Sequence, residues 1–307
     1  MSIFDQKVIK YEMKPLSSLE KVFPDETPVY RMECQMLSGL WGETVSFQVA
    51  YTGDFVMRER LDVRVVSELA EHVHVRTVEM VPVGRATNGI VDDNYLKTIS
   101  GLYPDLLKDL KDGKVIVYSR QWRSLWVDVD ITNEIPAGEY EIELQLIKEG
   151  EVVCSAKQKV TVIGTELPKL DIMHTEWMHA DCLADYYHVE VFSEEHWKLL
   201  ENYFQEYVKR DCNMMLTPLF TSPLDTAIGL ERTTCQLIDV EVKDGEYVFG
   251  FEKLKRWIDL CKKCGIEYFE MSHLFSQWGA KYAPKVVATV NGKKEKIFGW
   301  HTPAVGG

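Results

Sequence analysis

The sequence predicts a β-sandwich over residues 1–165, followed over 166–307 by roughly the first three β/α units of an α/β, TIM-type (β/α)8 barrel. Three observations carry this reading. From about Val29 to Ile163 apolar and polar residues alternate with period two, the mark of half-buried strands. Gly164-Thr-Glu-Leu-Pro168 then breaks the pattern. Beyond it come three mostly apolar runs, Leu170–Trp177, Asn213–Phe220 and Tyr268–Phe275, separated by amphipathic helical stretches, as parallel strands covered on both faces require.

In the first part the alternating runs are Thr44–Tyr51, Leu61–Val66, Val73–Met80, Leu125–Ile131 and Tyr140–Ile147. Turn signals at Pro136–Gly138 and Lys148–Glu151 separate them, and many short strands read as a sandwich. Tyr103–Leu110 is the one helix-like piece. In the second part Ser193 is placed as an N-cap, with Glu194 and Glu195 suited to the positive helix end. Trp197, Leu200, Phe204 and Val208 make one apolar stripe on that helix. Residues 234–251 read as a hairpin turning at Asp244-Gly245, Leu254–Gly265 as a second helix, and Lys285–Trp300 as an excursion with its own Asn291-Gly292 turn. A closed barrel of this class has eight strands and about 250 residues. The chain is therefore expected to be cut short, with an apolar open sheet edge that pairs with the rest of its barrel or with another copy.

Composition narrows the partners. Hydrophobic residues at 46% and charged residues at 27% are ordinary for a globular protein, while a net charge of −13 argues against nucleic acid and anionic membrane surfaces. A neutral ligand fits better. The N-terminus has no secretory signal pattern, so a cytoplasmic location is expected, and the seven cysteines read as free thiols. Cys261-x-x-Cys264 has no second pair or histidine at finger spacing and reads as the end of a helix.

Function in a β/α barrel gathers at the C-terminal strand ends. There the sequence places His174, Trp177, His179, Asp181 and Tyr186 after the first run, Asp225 after the second, and His273, Gln277, Trp278 and Lys281 after the third. Tryptophan offers a flat apolar face to a sugar ring, and His, Asp and Gln offer donors and acceptors to its hydroxyls. Carbohydrate is the expected ligand and no cofactor is expected. Asp225 and Gln277 suit hydroxyl or acetamido hydrogen bonds, Trp177 and Trp278 stacking, and Lys281 a rim contact or an acidic substituent. Two other readings remain open: a non-catalytic carbohydrate-binding or structural protein, and a metal-dependent enzyme using His174, His179 and His273.

At these residues the chain resembles glycoside hydrolase family 123. The resemblance rests on the segments His174–Trp197, Asn213–Thr226, Gln236–Glu270 and His273–Trp300. It implies a sandwich joined to a (β/α)8 barrel, and hydrolysis of β-N-acetylgalactosaminide-type glycosides with help from the substrate. The 2-acetamido oxygen attacks the anomeric carbon, an Asp steadies that group, and a neighbouring Glu acts as general acid. The family places this Asp-Glu pair after a fourth strand. The single Asp-Glu dipeptide here, Asp25-Glu26, lies in a turn of the first part. No catalytic residue is therefore expected within the chain, which is expected to be inactive alone while its full-length parent is a glycosidase.

Overall fold

The computed structural model describes residues 10–28, 36–55, 58–87, 89–169, 171–277 and 279–305. Two compact units divide the chain, Met1–Pro168 and Lys169–Gly307.

Among the described residues the first unit holds ten strands: β1 (Lys10–Ser17), β2 (Met36–Trp41), β3 (Thr44–Asp54), β4 (Glu59–Val66), β5 (Val73–Val83), β6 (Gly101–Asp109), β7 (Lys114–Val117), β8 (Arg123–Asp130), β9 (Gly138–Lys148) and β10 (Glu151–Glu166). They form two five-stranded sheets, ordered β1-β3-β8-β5-β6 and β2-β10-β9-β4-β7. Alternation makes the core. Leu125, Val127 and Val129 of β8 meet Ile142, Leu144 and Leu146 of β9 in one buried cluster, whereas the intervening Asp128 and Asp130 point outward, where each accepts a hydrogen bond from a neighbouring strand's Ser46 or Thr44 hydroxyl. The β9–β10 hairpin turns on Glu149 (φ 52°) and Gly150 (φ 89°), positive values that the two-residue hairpin turn requires. Tyr103–Leu110, expected as helix, is instead the edge strand β6, paired with β5. Its leucines mimic a helical stripe, but Leu102 and Leu106 face outward and Pro104 occupies an edge position that needs no N–H.

The second unit corrects the barrel expectation. It contains three described helices, α1 (Ala180–Tyr187), α2 (Glu194–Val208) and α3 (Glu252–Cys264). Its strands are β11 (Met214–Thr217), β12 (Asp239–Lys243), β13 (Glu246–Gly250), β14 (Tyr268–Met271), β15 (Val286–Val290) and β16 (Lys293–Phe298). No (β/α)8 barrel is formed by them: β11 and β14 make a two-stranded parallel sheet, and the rest make a mixed sheet ordered β13-β12-β15-β16. The physical reason lies in the apolar runs. Two of them shrink to four-residue strands, the second ending at Pro218, and the rest of each run is loop. In the first run, residues 171–177 are not a strand. They are held to the start of β11 by bonds from the Asn213 and Met214 amides to the His174 carbonyl, not by a ladder. The two excursions, turning at Asp244-Gly245 and Asn291-Gly292, join as one sheet through parallel pairing of Glu241 with Thr289 and Val242 with Val290.

Helices α2 and α3 bury Trp197, Leu200, Phe204, Trp257 and Cys261 in one core with Met215 of β11. Burial pushes the Cys261 thiol well up, so it stays protonated in the core. Ser193 caps α2 by accepting from the His196 amide at 3.2 Å. His196 is fully buried: its Nδ1 accepts from the Phe192 amide, so its Nε2–H donates to the Ala180 carbonyl at 2.9 Å and ties α2 to the start of α1. Burial holds this imidazole below its ordinary value of 6.5, against the Ala180 bond and the Asp181 charge, which act the other way. The unfolded chain therefore binds a proton that the folded one refuses. Stability is expected to be complete above about pH 6.5 and to decline as the pH falls below it, a decline that His196→Gln flattens. Urea unfolding across that range measures it, and a flat wild-type profile rejects it. No helix among the described residues is long and apolar enough to cross a membrane.

Candidate carbohydrate site

The loops after β11 and β14 are sewn together before any site chemistry appears. The Ser272 amide donates to the Thr217 carbonyl at 2.9 Å and the Leu237 amide to the Pro218 carbonyl at 2.9 Å, while the buried Thr221 hydroxyl accepts from the Cys235 amide. On this frame sits Asp225, with φ 56°, a left-handed conformation that Asp tolerates better than most residues. Gln277 fixes it there, its Oε1 accepting from the Asp225 amide at 2.8 Å and its Nε2 donating to the Thr226 carbonyl at 3.2 Å. His179, just before α1, places Nε2 2.6 Å from Asp225 Oδ2. His179, Asp225 and Gln277, from three separate segments, are thus brought together. The histidine is largely buried while the carboxylate side chain is 63% exposed, so Asp225 is anchored on one side and open on the other.

Beneath this group Asp181, in the first turn of α1, pairs with Arg232 through two hydrogen bonds of 2.8 and 3.2 Å. Both side chains are nearly buried, at 8% and 10% exposed. Burial alone disfavours the guanidinium charge, but the Asp181 hydrogen bonds and charge outweigh it, and the arginine pKa is raised. Arg232 also donates to the Leu224 carbonyl at 3.3 Å, one residue before Asp225, and to Cys182 Sγ. Asp181 is therefore a brace for the loop. Arg232 escaped sequence reasoning because it lies in a polar loop with no local pattern.

A second group stands at the end of β14. The Trp177 indole N–H donates to Glu270 Oε2 at 2.9 Å, and its ring meets His273 edge to face at 5.6 Å. Glu270 was also missed, although an acid inside the apolar run Tyr268–Met271 is a readable signal. Beyond His273, Leu274 joins Phe220, Tyr247, Phe249, Ile297 and Phe298 around an apolar hollow of about 250 Å³.

Other expected residues lie elsewhere. His174 is held at the start of β11, the opposite end from the Thr217 loop, with Nδ1 3.1 Å from the Asp211 carbonyl and its amide on Asn213 Oδ1. Tyr186 is exposed on the last turn of α1, edge to face with Tyr187, whose hydroxyl meets that of Tyr203. Lys281 is exposed, and its carbonyl accepts from Ala304. Trp278 lies outside the described residues. His174, His179 and His273 have three different sets of partners, and among the described residues no three His, Cys, Asp or Glu side chains stand together as a metal set.

No curated protein matches the sequence. Among solved structures, a β-glucosidase from Listeria innocua in complex with isofagomine is 10% identical with a TM-score of 0.24, over 52% of this chain and 17% of that one, a likeness too low to support a fold. The chain resembles far more a structure described under the details of glycolipid glycan hydrolysis by a family 123 glycoside hydrolase from Clostridium perfringens. The TM-score is 0.68 at 13% identity, covering 94% of this chain and 52% of that one, which establishes likeness of fold. The chain thus spans about half the length of that structure. Residues 177–304, the stretch that contains both groups just described, match the family model for glycoside hydrolase 123, catalytic domain.

Proposed function

We propose that the second unit carries the sugar-binding face of a glycoside hydrolase acting on N-acetylhexosamine glycosides of the β-N-acetylgalactosaminide type. The observation that carries this reading is Asp225, its backbone held by Gln277 and its carboxylate by His179 yet open on its outer side, within the stretch that matches a glycoside hydrolase catalytic domain. A fixed acceptor of this kind suits a sugar hydroxyl or acetamido N–H, because little ordering remains to be done on binding. The exposed Trp177 ring beside His273 suits the apolar face of the sugar. A net charge of −13 favours a neutral glycan.

Hydrolysis assisted by the substrate's own acetamido group needs an Asp to steady that group and a Glu to protonate the leaving oxygen. Asp25 and Glu26 do not meet the need: both are exposed in a turn of the first unit and both are paired with Lys97. We infer that residues 1–307 bind the glycoside without turning it over.

Calorimetric titration with N-acetylgalactosamine and galactose tests the binding half, and release of nitrophenol from its β-N-acetylgalactosaminide tests the other. N-acetylgalactosamine is expected to bind at least about tenfold more tightly than galactose, and Asp225→Ala to remove about tenfold of that affinity, the worth of one good hydrogen bond to a charged group. Equal binding of the two sugars sinks the substrate assignment, and steady turnover by residues 1–307 sinks the claim of inactivity.

A further inference from the structure

The first unit contains a cavity that sandwich packing does not explain. Its two sheets part between β6 and β7, the last strands of their sheets, and leave a space of about 540 Å³. The floor is ordinary core, with Tyr51, Val78 and Val115 buried. A seam that only closed a core would be apolar. Here the walls carry Arg58, Arg60, Lys108, Lys111, Lys114 and Arg123, in a chain whose net charge is −13.

Local acids answer only part of that charge. Arg60 pairs with Asp112 at 2.8 Å and Lys114 with Asp62 at 3.3 Å, and the lining acid Glu59 is taken by Lys148. Among the described residues, Arg58, Lys108, Lys111 and Arg123 have no carboxylate partner. Arg123 is the most built of them. Its guanidinium lies 5.0 Å from the centre of the Tyr118 ring, one nitrogen donates to Gln121, and its Nε is buried and bonded to nothing. Among the described residues its terminal nitrogens have no carboxylate beside them, and a guanidinium held against a ring in this way suits a carboxylate or sulfate.

Two further lining acids, Glu79 and Asp109, narrow the ligand. They would repel a polyphosphate or nucleic acid along its length, but they accept hydrogen bonds from hydroxyls. The space also far exceeds what a bare inorganic anion fills and falls within the range of small-molecule sites, about 300–1,000 Å³. We propose that this cavity is a second ligand site, binding a saccharide that carries one carboxylate or sulfate group, held by Arg123 and Lys111 at its anion and by Glu79 and Asp109 at its hydroxyls.

Titration of the whole chain with glucuronic acid and with N-acetylgalactosamine 6-sulfate tests it, with inorganic sulfate as control and Asp225→Ala as background to remove the other proposed site. At least one acidic sugar is expected to bind in that background, more weakly as salt is added. Arg123→Gln is expected to weaken binding about tenfold, the loss of one charge-assisted hydrogen bond. If Arg123→Gln does not fold, Lys111→Gln, on the exposed wall, carries the test with a smaller loss. Binding of neither acidic sugar, inorganic sulfate binding as tightly as the sulfated sugar, or unchanged affinity in a folded variant overturns the proposal, and none of these results bears on the site around Asp225.

Discussion

Arg232→Met is expected to cost about 3–5 kcal/mol of the second unit's stability, because it leaves the Asp181 carboxylate buried without its counter-charge. The arginine does more than neutralise: it reaches Asp181 on α1, the Leu224 carbonyl and Cys182, so its loss frees the loop that ends in Asp225 as well. Two consequences separate this account from a general packing defect. Asp181→Leu combined with Arg232→Met should recover much of the lost stability, since a buried pair replaced on both sides by apolar groups leaves no stranded charge. N-acetylgalactosamine affinity should not recover in the double variant, because the bond to Leu224 is still missing. Urea unfolding, followed at unchanged slope, measures the first, and calorimetry the second. A loss under about 1 kcal/mol in the single variant would mean that water reaches the carboxylate and the pair is a surface one.

The contrast between the two units follows from how far apart in sequence the deciding contacts are. The sandwich strands were legible because a half-buried strand writes its burial into its own residues, as Leu125, Val127 and Val129 do. Strand β6 was not, since Leu106, Leu107 and Leu110 of the stretch Tyr103–Leu110 match a helical spacing and only pairing with β5 decides otherwise. The turns at Asp244-Gly245 and Asn291-Gly292 announced their hairpins, but nothing local joins β12 to β15, whose parallel pairing rests on two residue pairs almost fifty positions apart. The barrel failed for the same reason. An apolar run records burial and not strand pairing, so buried loop residues such as Leu224 and Ser272 look no different from the strands they follow. At the candidate site the sequence singled out His179, Asp225 and Gln277 as polar residues, and the structure brings the three together. Their roles were not legible in the sequence, because Gln277 turns out to grip the backbone of Asp225, and that is visible only in space.

Trp257→Ala is expected to destabilise the second unit by about 3–5 kcal/mol, the range for emptying a large aromatic from a closed core. Trp257 is fully buried on α3, edge to face with Phe204 at 5.1 Å and with Trp197 at 6.4 Å, both on α2. Trp197 and Phe204 of α2 and Trp257 of α3 thus fill one core with Met215 of β11. The indole also carries a flaw: its Nε1–H is buried with no acceptor. An unanswered donor costs about 1–3 kcal/mol, so Trp257→Phe removes a penalty while it removes volume. The two effects oppose each other, and Trp257→Phe should fall within about 1.5 kcal/mol of the wild type although it also leaves a cavity. Urea unfolding followed by circular dichroism distinguishes the cases without relying on the altered fluorophore. If Phe costs nearly as much as Ala, the indole N–H has found a partner and the ring system as a whole is what joins α2 to α3. If Ala costs little, the core around Trp257 collapses freely, and the two helices are held to β11 and β14 by Leu200, Phe204 and Met215 instead.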